Sequence, residues 1–281
     1  MHEDHRLATR NLSLGYNGSV IVDDLNLKIP SGQFTVLVGK NGCGKSTILR
    51  ALAGLLSPMK GEIFLDGTTT RKIPSRERAK HIGVLTQGPQ APEGLSVAEL
   101  VRQGRYPHRR LFERWSSRDE DACTHALDLT DMTSLSGRPV EALSGGQRQR
   151  AWIAMTLAQE TDILLLDEPT TFLDLAHQIE ILELIRQLVH DRGRTIVAVL
   201  HDLNQAARYA DEIVLIRDGK VFDSGNPSAV ITDRNVLDVF GVNAVIVPDP
   251  LSGTPMCVPV PSCALSGPQD VAAPQHSLGF S

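Results

Sequence analysis

Apolar and polar positions alternate over the first thirty residues, with Leu12, Leu14 and Tyr16 in phase and Leu25, Leu27 and Ile29 forming a second run. A period of two predicts half-buried strands, here paired antiparallel. Residues 34–38 are then a short, mainly apolar run that ends in a glycine-rich loop, and Leu49, Leu52, Ala53 and Leu56 recur behind it at helical spacing. This predicts strand, loop and helix in succession, with Pro58 and Gly61 ending the helix. Residues 62–65 run into Asp66-Gly67, a strand stopping at a turn.

From Pro89 to Asp131 the texture turns polar and helical, with Trp115, Arg118 and acidic residues set among few apolar positions. Residues of about 88–160, following Gln87, read as a helical subdomain inserted in the fold. Ala151, Ala154, Met155 and Ala158 mark a helix within it, residues 163–166 a fully buried strand, Ile181, Leu184, Ile185 and Leu188 another helix, and residues 195–200 a second buried strand. Strands that are apolar throughout and alternate with helices imply a parallel sheet covered on both faces, so the predicted core is α/β. Asp218-Gly219 between two strand-like runs predicts a hairpin. A short helix near residues 235–240 and a second hairpin near 249–253 would close the fold. After about residue 262 the composition offers little to bury, so 262–281 is expected to be a disordered tail behind a single domain of 1–261.

Charge and composition narrow the function classes. Over 281 residues the hydrophobic fraction is 41%, the charged fraction 22% and the net charge −5, values of a soluble globular protein without the basic footprint that coating nucleic acid needs. The longest apolar runs fall far short of the roughly 20 residues that cross a bilayer. The start, Met1-His2-Glu3-Asp4-His5, is charged in both signs and carries no visible secretory signal, so the cytoplasm is the expected compartment. Cys43, Cys123, Cys257 and Cys263 form no CxxC pair, which suits a reducing environment, with a Cys257–Cys263 disulfide as the less favoured alternative.

Residues 39–46 read Gly39-Lys40-Asn41-Gly42-Cys43-Gly44-Lys45-Ser46 and fit the phosphate-loop pattern in the strand-to-helix setting it requires. Glycines turn backbone N–H groups toward phosphates, the helix start adds its positive end, and Lys45 supplies a point charge near the β and γ groups. Ser46 can offer its hydroxyl to Mg²⁺, and Thr47 follows in the same turn. The ligand is therefore ATP with Mg²⁺.

Asp167 and Glu168 end the first buried strand, on the edge where parallel sheets bind ligands. Asp167 is expected to orient Mg²⁺ through water, and Glu168 to polarise the water that attacks the γ-phosphorus. By themselves two such acids could merely cap a strand before Pro169; the phosphate loop favours catalysis. His201 ends the second buried strand and is placed either to bond the γ-phosphate as a neutral imidazole or to serve structure alone. His81, His108 and His177 have no ligand spacing, and His2 and His5 read as a solvated terminus. Ser144-Gly145-Gly146-Gln147 opens a further helix, a second anion-binding start that a simple N-cap would also explain.

Taken in order, residues 39–46, Gln87, residues 143–147, residues 163–168, Asp174 and His201 resemble the motif set of an ATP-binding cassette ATPase, over about residues 7–260. The resemblance implies a P-loop NTPase (RecA-like) core with an antiparallel β subdomain and an inserted α-helical subdomain. It also implies that Tyr16 stacks on adenine, the alternative being a strand-face packing residue, and that Gln87 links Mg²⁺ to the helical subdomain. Two copies would sandwich two ATP molecules, with Ser144, Gly145, Gly146 and Gln147 of one contacting the nucleotide held by Lys45 of the other and Asp174 close by. Integral membrane permease subunits and, indirectly, a substrate-binding protein are the further partners, which puts the chain at the cytoplasmic face of the cell membrane.

Residues 170–175, Thr170-Thr171-Phe172-Leu173-Asp174-Leu175, depart from the commoner small-residue run. With residues 104–108 and 201–211 they resemble the ATPases of ferric-siderophore, haem and cobalamin importers. Import of a ferric siderophore or related iron chelate is the expectation, with haem, cobalamin and export as alternatives and a non-transport cassette further off. A chromosome-maintenance ATPase would carry a long coiled coil between Ser46 and Leu143, and none fits. Cys43 at a helix start is expected to be acidic enough for a maleimide to inactivate the enzyme unless ATP protects it, the alternative being a harmless small side chain.

Overall fold

The computed structural model describes residues 5–110 and 113–261. The tail expected over 262–281, the Cys257–Cys263 pairing and His2 lie outside the described residues. The chain opens with strands β1 (His5–Tyr16), β2 (Ser19–Leu25) and β3 (Lys28–Pro30), then β4 (Phe34–Val38), the phosphate loop and helix α1 (Lys45–Leu52). β5 (Lys60–Leu65), β6 (Thr68–Thr69), α2 (Ser75–Arg78) and β7 (Ile82–Leu85) follow. Helices α3 (Val97–Gln103), α4 (Ser117–Leu129) and α5 (Gly145–Ala158) fill the stretch before β8 (Ile163–Asp167). Next come α6 (Leu175–His190), β9 (Thr195–Val199), α7 (Leu203–Tyr209), β10 (Glu212–Arg217) and β11 (Lys220–Gly225). α8 (Pro227–Val230), α9 (Asp233–Phe240) and the hairpin of β12 (Ala244–Pro248) with β13 (Pro255–Pro259) end the described chain.

Two sheets divide the work. The alternating strands form an antiparallel sheet in the order β2-β1-β5-β6, with β3 also paired to β1. The apolar runs form the second, in the order β11-β10-β4-β9-β8-β7, parallel throughout except for β11. Every residue of β4, β8 and β9 is buried, which is why their sequences lack alternation. Register then fixes the site: Leu37 is level with Val199, Val199 with Asp167, and Leu85 with Leu166. The loops that leave β4, β7, β8 and β9 therefore share the carboxyl edge of the sheet, the ligand edge of open α/β folds.

The first helix is shorter than its apolar spacing predicts. α1 stops at Leu52, with Gly54 at φ 73° just behind it and the Leu55 N–H donating back to the Arg50 carbonyl. A left-handed glycine is the usual helix terminator, so Leu56 lies beyond the helix and Pro58 is not its stop. Gly61 has another role. A Cβ there would lie 2.2 Å from the Asn11 carbonyl oxygen, so the glycine permits close approach of β5 to β1.

The three helices between β7 and β8 share one apolar cluster with the parallel sheet, through Val97, Leu100, Ala151 and Leu157 among others. Arg105, fully buried, ties them together. It donates to Asp119 Oδ1 at 2.9 Å, to the Ala158 carbonyl at 2.7 Å and to Glu160 Oε2 at 2.8 Å. The terminal hairpin is fastened to α7 by the Asn204 side chain, which donates to the Cys257 carbonyl and accepts its N–H.

Candidate nucleotide-binding site

The loop after β4 is shaped by glycines that have no room for a side chain. Gly39 has φ 158°, and a Cβ on it would meet the Ile216 carbonyl oxygen at 2.1 Å; Gly44 has φ 102° and faces Val22 at 2.7 Å. Inside the loop the buried Lys45 ammonium donates to the carbonyls of Gly39 and Lys40 at 2.8 and 2.9 Å. The cation is thereby centred where backbone N–H groups and the start of α1 also point, a composite anion site.

Ser46 Oγ donates to Asp167 Oδ1 at 2.7 Å. Asp167 is 1% exposed and its Oδ2 has no partner; burial pushes its pKa up, offset in part by the Ser46 bond. A buried carboxylate oxygen left without a donor, beside a hydroxyl and a phosphate loop, is the donor set a hard divalent cation takes. The residues therefore fit Mg²⁺.

Glu168, one residue on, has φ 54°, a left-handed backbone that is uncommon outside glycine and turns its carboxylate back over the loop. Gln87 Nε2 donates to Oε2 at 2.6 Å, and His201 Nε2, carrying its hydrogen, stands 2.7 Å from Oε1. These three residues come from the ends of three strands that the sheet register brings level. Together with Asn41, Gly42, Gly44, Lys45, Ser46 and Thr47 they line a cleft of about 460 Å³. Chemistry and not size marks the site: a larger cleft of about 580 Å³, against α6 and α7, is lined by Glu183, Arg186, His190 and Arg208 without any phosphate loop.

Other residues singled out from the sequence lie elsewhere. Tyr16, 40% exposed at the end of β1, is not among the cleft's lining residues, whereas Ile21 of β2 is. Lys40 offers its carbonyl to Lys45, and its Nζ is 3.4 Å from where a Gly241 Cβ would stand, turned toward the end of α9. Ser144 caps α5 in a reciprocal box, its Oγ accepting from Gln147 N while its own N–H donates to Gln147 Oε1. Gly145 and Gly146 follow in the first turn, and Asp174 caps α6 by accepting from His177 N at 3.0 Å. None of Ser144, Gly145, Gly146, Gln147 and Asp174 lines the cleft of its own chain.

Cys43 corrects the expectation of an acidic thiol and favours the alternative of a small packed side chain. Its side chain is buried in the apolar cluster beneath the loop. Burial pushes the thiol pKa up, and Lys45 offsets this only in part. The backbone N–H at the start of α1 lowers it as well, but burial outweighs both.

Three cleft residues were given no place in the site by the sequence, although Thr171 and Phe172 stood in the unusual 170–175 run. Ile21 arrives from a strand hairpin, and no local signal announces it. Thr171, whose Oγ1 donates to Glu168 Oε2 at 3.0 Å, and Phe172, 93% exposed at φ 64°, sit on the turn after Pro169. The spacing of Thr171, three residues after a catalytic candidate, was the available clue.

Fold and site together define a nucleotide-hydrolysing cassette. Residues 22–171 match the family model described as ABC transporter, and the chain belongs to that family as an ATP-binding ATPase subunit. It is 54% identical over 253 residues, 90% of its length and 92% of the relative's, to the "Probable siderophore transport system ATP-binding protein YusV" of Bacillus subtilis. It is 48% identical over 255 residues, 91% and 94% of the two lengths, to the ferric enterobactin transport ATP-binding protein FepC of Escherichia coli. Among solved structures, the dimeric ABC transporter cassette MJ0796 superposes with a TM-score of 0.70 at 28% identity, covering 78% of this chain and 98% of that one. The fold is thus the P-loop NTPase core with its antiparallel sheet, as the sequence led us to expect.

Proposed function

We propose that this chain is the ATP-hydrolysing subunit that energises uptake of a ferric siderophore or a related iron chelate. It works at the cytoplasmic face of the cell membrane as a pair of identical subunits attached to integral permease subunits, which receive cargo from a substrate-binding protein. One observation carries the hydrolytic reading: the Glu168 carboxylate, held by Gln87 and His201, shares a cleft with Lys45 and Ser46. The cargo class rests on the likeness to YusV and FepC along nearly the whole chain.

In this reading residues 1–261 are one cassette, with 88–160 as its helical subdomain. The backbone of residues 39–47 and the Lys45 ammonium cradle the β- and γ-phosphates. Ser46, Asp167 and Gln87 hold Mg²⁺, which when bound neutralises phosphate charge. Tyr16 faces the adenine. Glu168 accepts a proton from water as the water oxygen bonds to the γ-phosphorus and the bridging oxygen departs with ADP, while His201 donates to the γ-phosphate. Ser144, Gly145, Gly146, Gln147 and Asp174 face the nucleotide of the second copy, which accounts for their standing outside their own chain's cleft.

The test is E168Q. It is expected to bind ATP as the unaltered chain does, to lose at least about a hundredfold in kcat, and to elute as a dimer when ATP and Mg²⁺ are present. Unaltered turnover, or a monomer under those conditions, would count against the assignment. Loss of radiolabelled ferric-siderophore uptake on deleting the chain, restored by the unaltered protein and not by E168Q, tests the cargo.

A further inference from the structure

Glu168 meets donors from three separate segments. Gln87 follows β7 and His201 follows β9, whereas Thr171 belongs to the same turn as Glu168. In the proposed function the first two have other tasks. His201 Nε2 has a single hydrogen, so donating it to the γ-phosphate releases Glu168 Oε1. Gln87 reaches a cation through its amide oxygen, which turns the amide N–H₂ away from Oε2. During turnover these donors are drawn off, and the carboxylate keeps only the bond that travels with it.

Thr171 is built to travel with it. Its backbone N–H donates to the Glu168 carbonyl at 3.3 Å while its hydroxyl donates to the Glu168 carboxylate at 3.0 Å. The turn is bracketed by Glu168 at φ 54° and Phe172 at φ 64°, both left-handed, with Pro169 between them restricting the backbone further. A shift of one rotamer at Glu168 would move its oxygens by more than the tolerance of a proton transfer.

We infer that Thr171 is a positioning residue for hydrolysis, its hydroxyl holding the Glu168 carboxylate toward the attacking water once Gln87 and His201 are engaged by the nucleotide. The inference rests on the proposed role of Glu168 as the group that accepts the water's proton.

T171V keeps the branched shape and removes the hydroxyl; T171S keeps the hydroxyl and removes the methyl. Loss of a hydrogen bond to a charged group should lower kcat about tenfold or more in T171V, with the KM for ATP within about twofold of the unaltered value. T171S should recover kcat to within about threefold. A side chain that only filled space would give the reverse order. A T171V rate within about twofold of the unaltered rate, or T171S as slow as T171V, overturns the inference.

Should T171V fold poorly by circular dichroism, T171A and T171S, which both lack the methyl, give the same comparison. T171S faster by about fivefold supports the role, and equal rates overturn it. E168Q is measured alongside: turnover retained there removes the role of Glu168 and this inference with it. E168Q inactive beside a fully active T171V removes the inference alone.

Discussion

The hydroxyl of Ser46 donates to one carboxylate oxygen of Asp167 at 2.7 Å, while the other oxygen, buried, meets no donor. The two residues are 121 positions apart and come from different strand ends. An ionised carboxylate held this way is destabilising until a cation completes it.

Asp167→Asn should therefore separate folding from function. Burial raises the Asp167 pKa in the folded chain, so the folded state binds a proton more readily than the unfolded one. Its contribution then favours folding below the unfolded value and turns unfavourable as pH rises through the folded value. D167N is expected to raise the melting temperature of the nucleotide-free protein at pH 7 by roughly 2 °C or more, with the gain vanishing toward pH 3. It should also abolish the extra stabilisation that Mg²⁺ adds to ATP. Thermal scans across pH, with and without Mg²⁺-ATP, check both outcomes.

Cys43 should resist modification in the folded protein. Its thiol is buried and its pKa raised by that burial, so the thiolate that attacks a maleimide is scarce and shielded. Brief labelling at pH 7 is expected to leave ATPase activity intact and Cys43 unmodified in peptide maps, whereas labelling in denaturant should be complete. Inactivation that tracks Cys43 labelling would restore the acidic-thiol expectation.

Arg105 is the clearest stability hinge among the helices between β7 and β8. Burial alone would push Asp119 up, yet the Ser116 hydroxyl and Arg105 hold it at about 2. A depressed carboxylate contributes stability above its unfolded value near 3.8 that is lost as pH falls through about 2. R105A leaves Asp119 buried without its cation and should cost about 3–5 kcal/mol in urea unfolding. R105M, which refills the volume, should differ little from R105A if the charge matters more than the packing. The acid-unfolding midpoint of either variant should lie at higher pH than that of the unaltered chain.

Much of this was legible beforehand because its causes are local. Continuous apolar runs mark parallel strands buried on both faces, and the 39–46 loop, the Asp167-Glu168 pair and His201 are identified by residue type at strand ends. What stayed hidden depends on tertiary placement. The stop of α1 at Leu52 is set by Gly54, which turns left-handed before Pro58 and Gly61 are reached. The inward turn of Cys43 depends on the sheet beneath it, and Ile21 reaches the cleft only because β2 folds over α1.

Gly146 packs against the ring of His177. A Cβ at this position would stand 2.2 Å from Cδ2 and 2.6 Å from Cγ of His177. That ring cannot swing aside freely, because its Nδ1 is 2.6 Å from Asp174 Oδ1, which also accepts the His177 backbone N–H. G146A should thus cost about 1–3 kcal/mol by overpacking, although alanine is the better helix former. H177A removes the obstacle, so G146A/H177A should be more stable than the sum of the single changes allows. A double-mutant cycle in urea measures the coupling. Additive single effects would mean that the ring yields, and that the start of α5 is not held against the turn that opens α6.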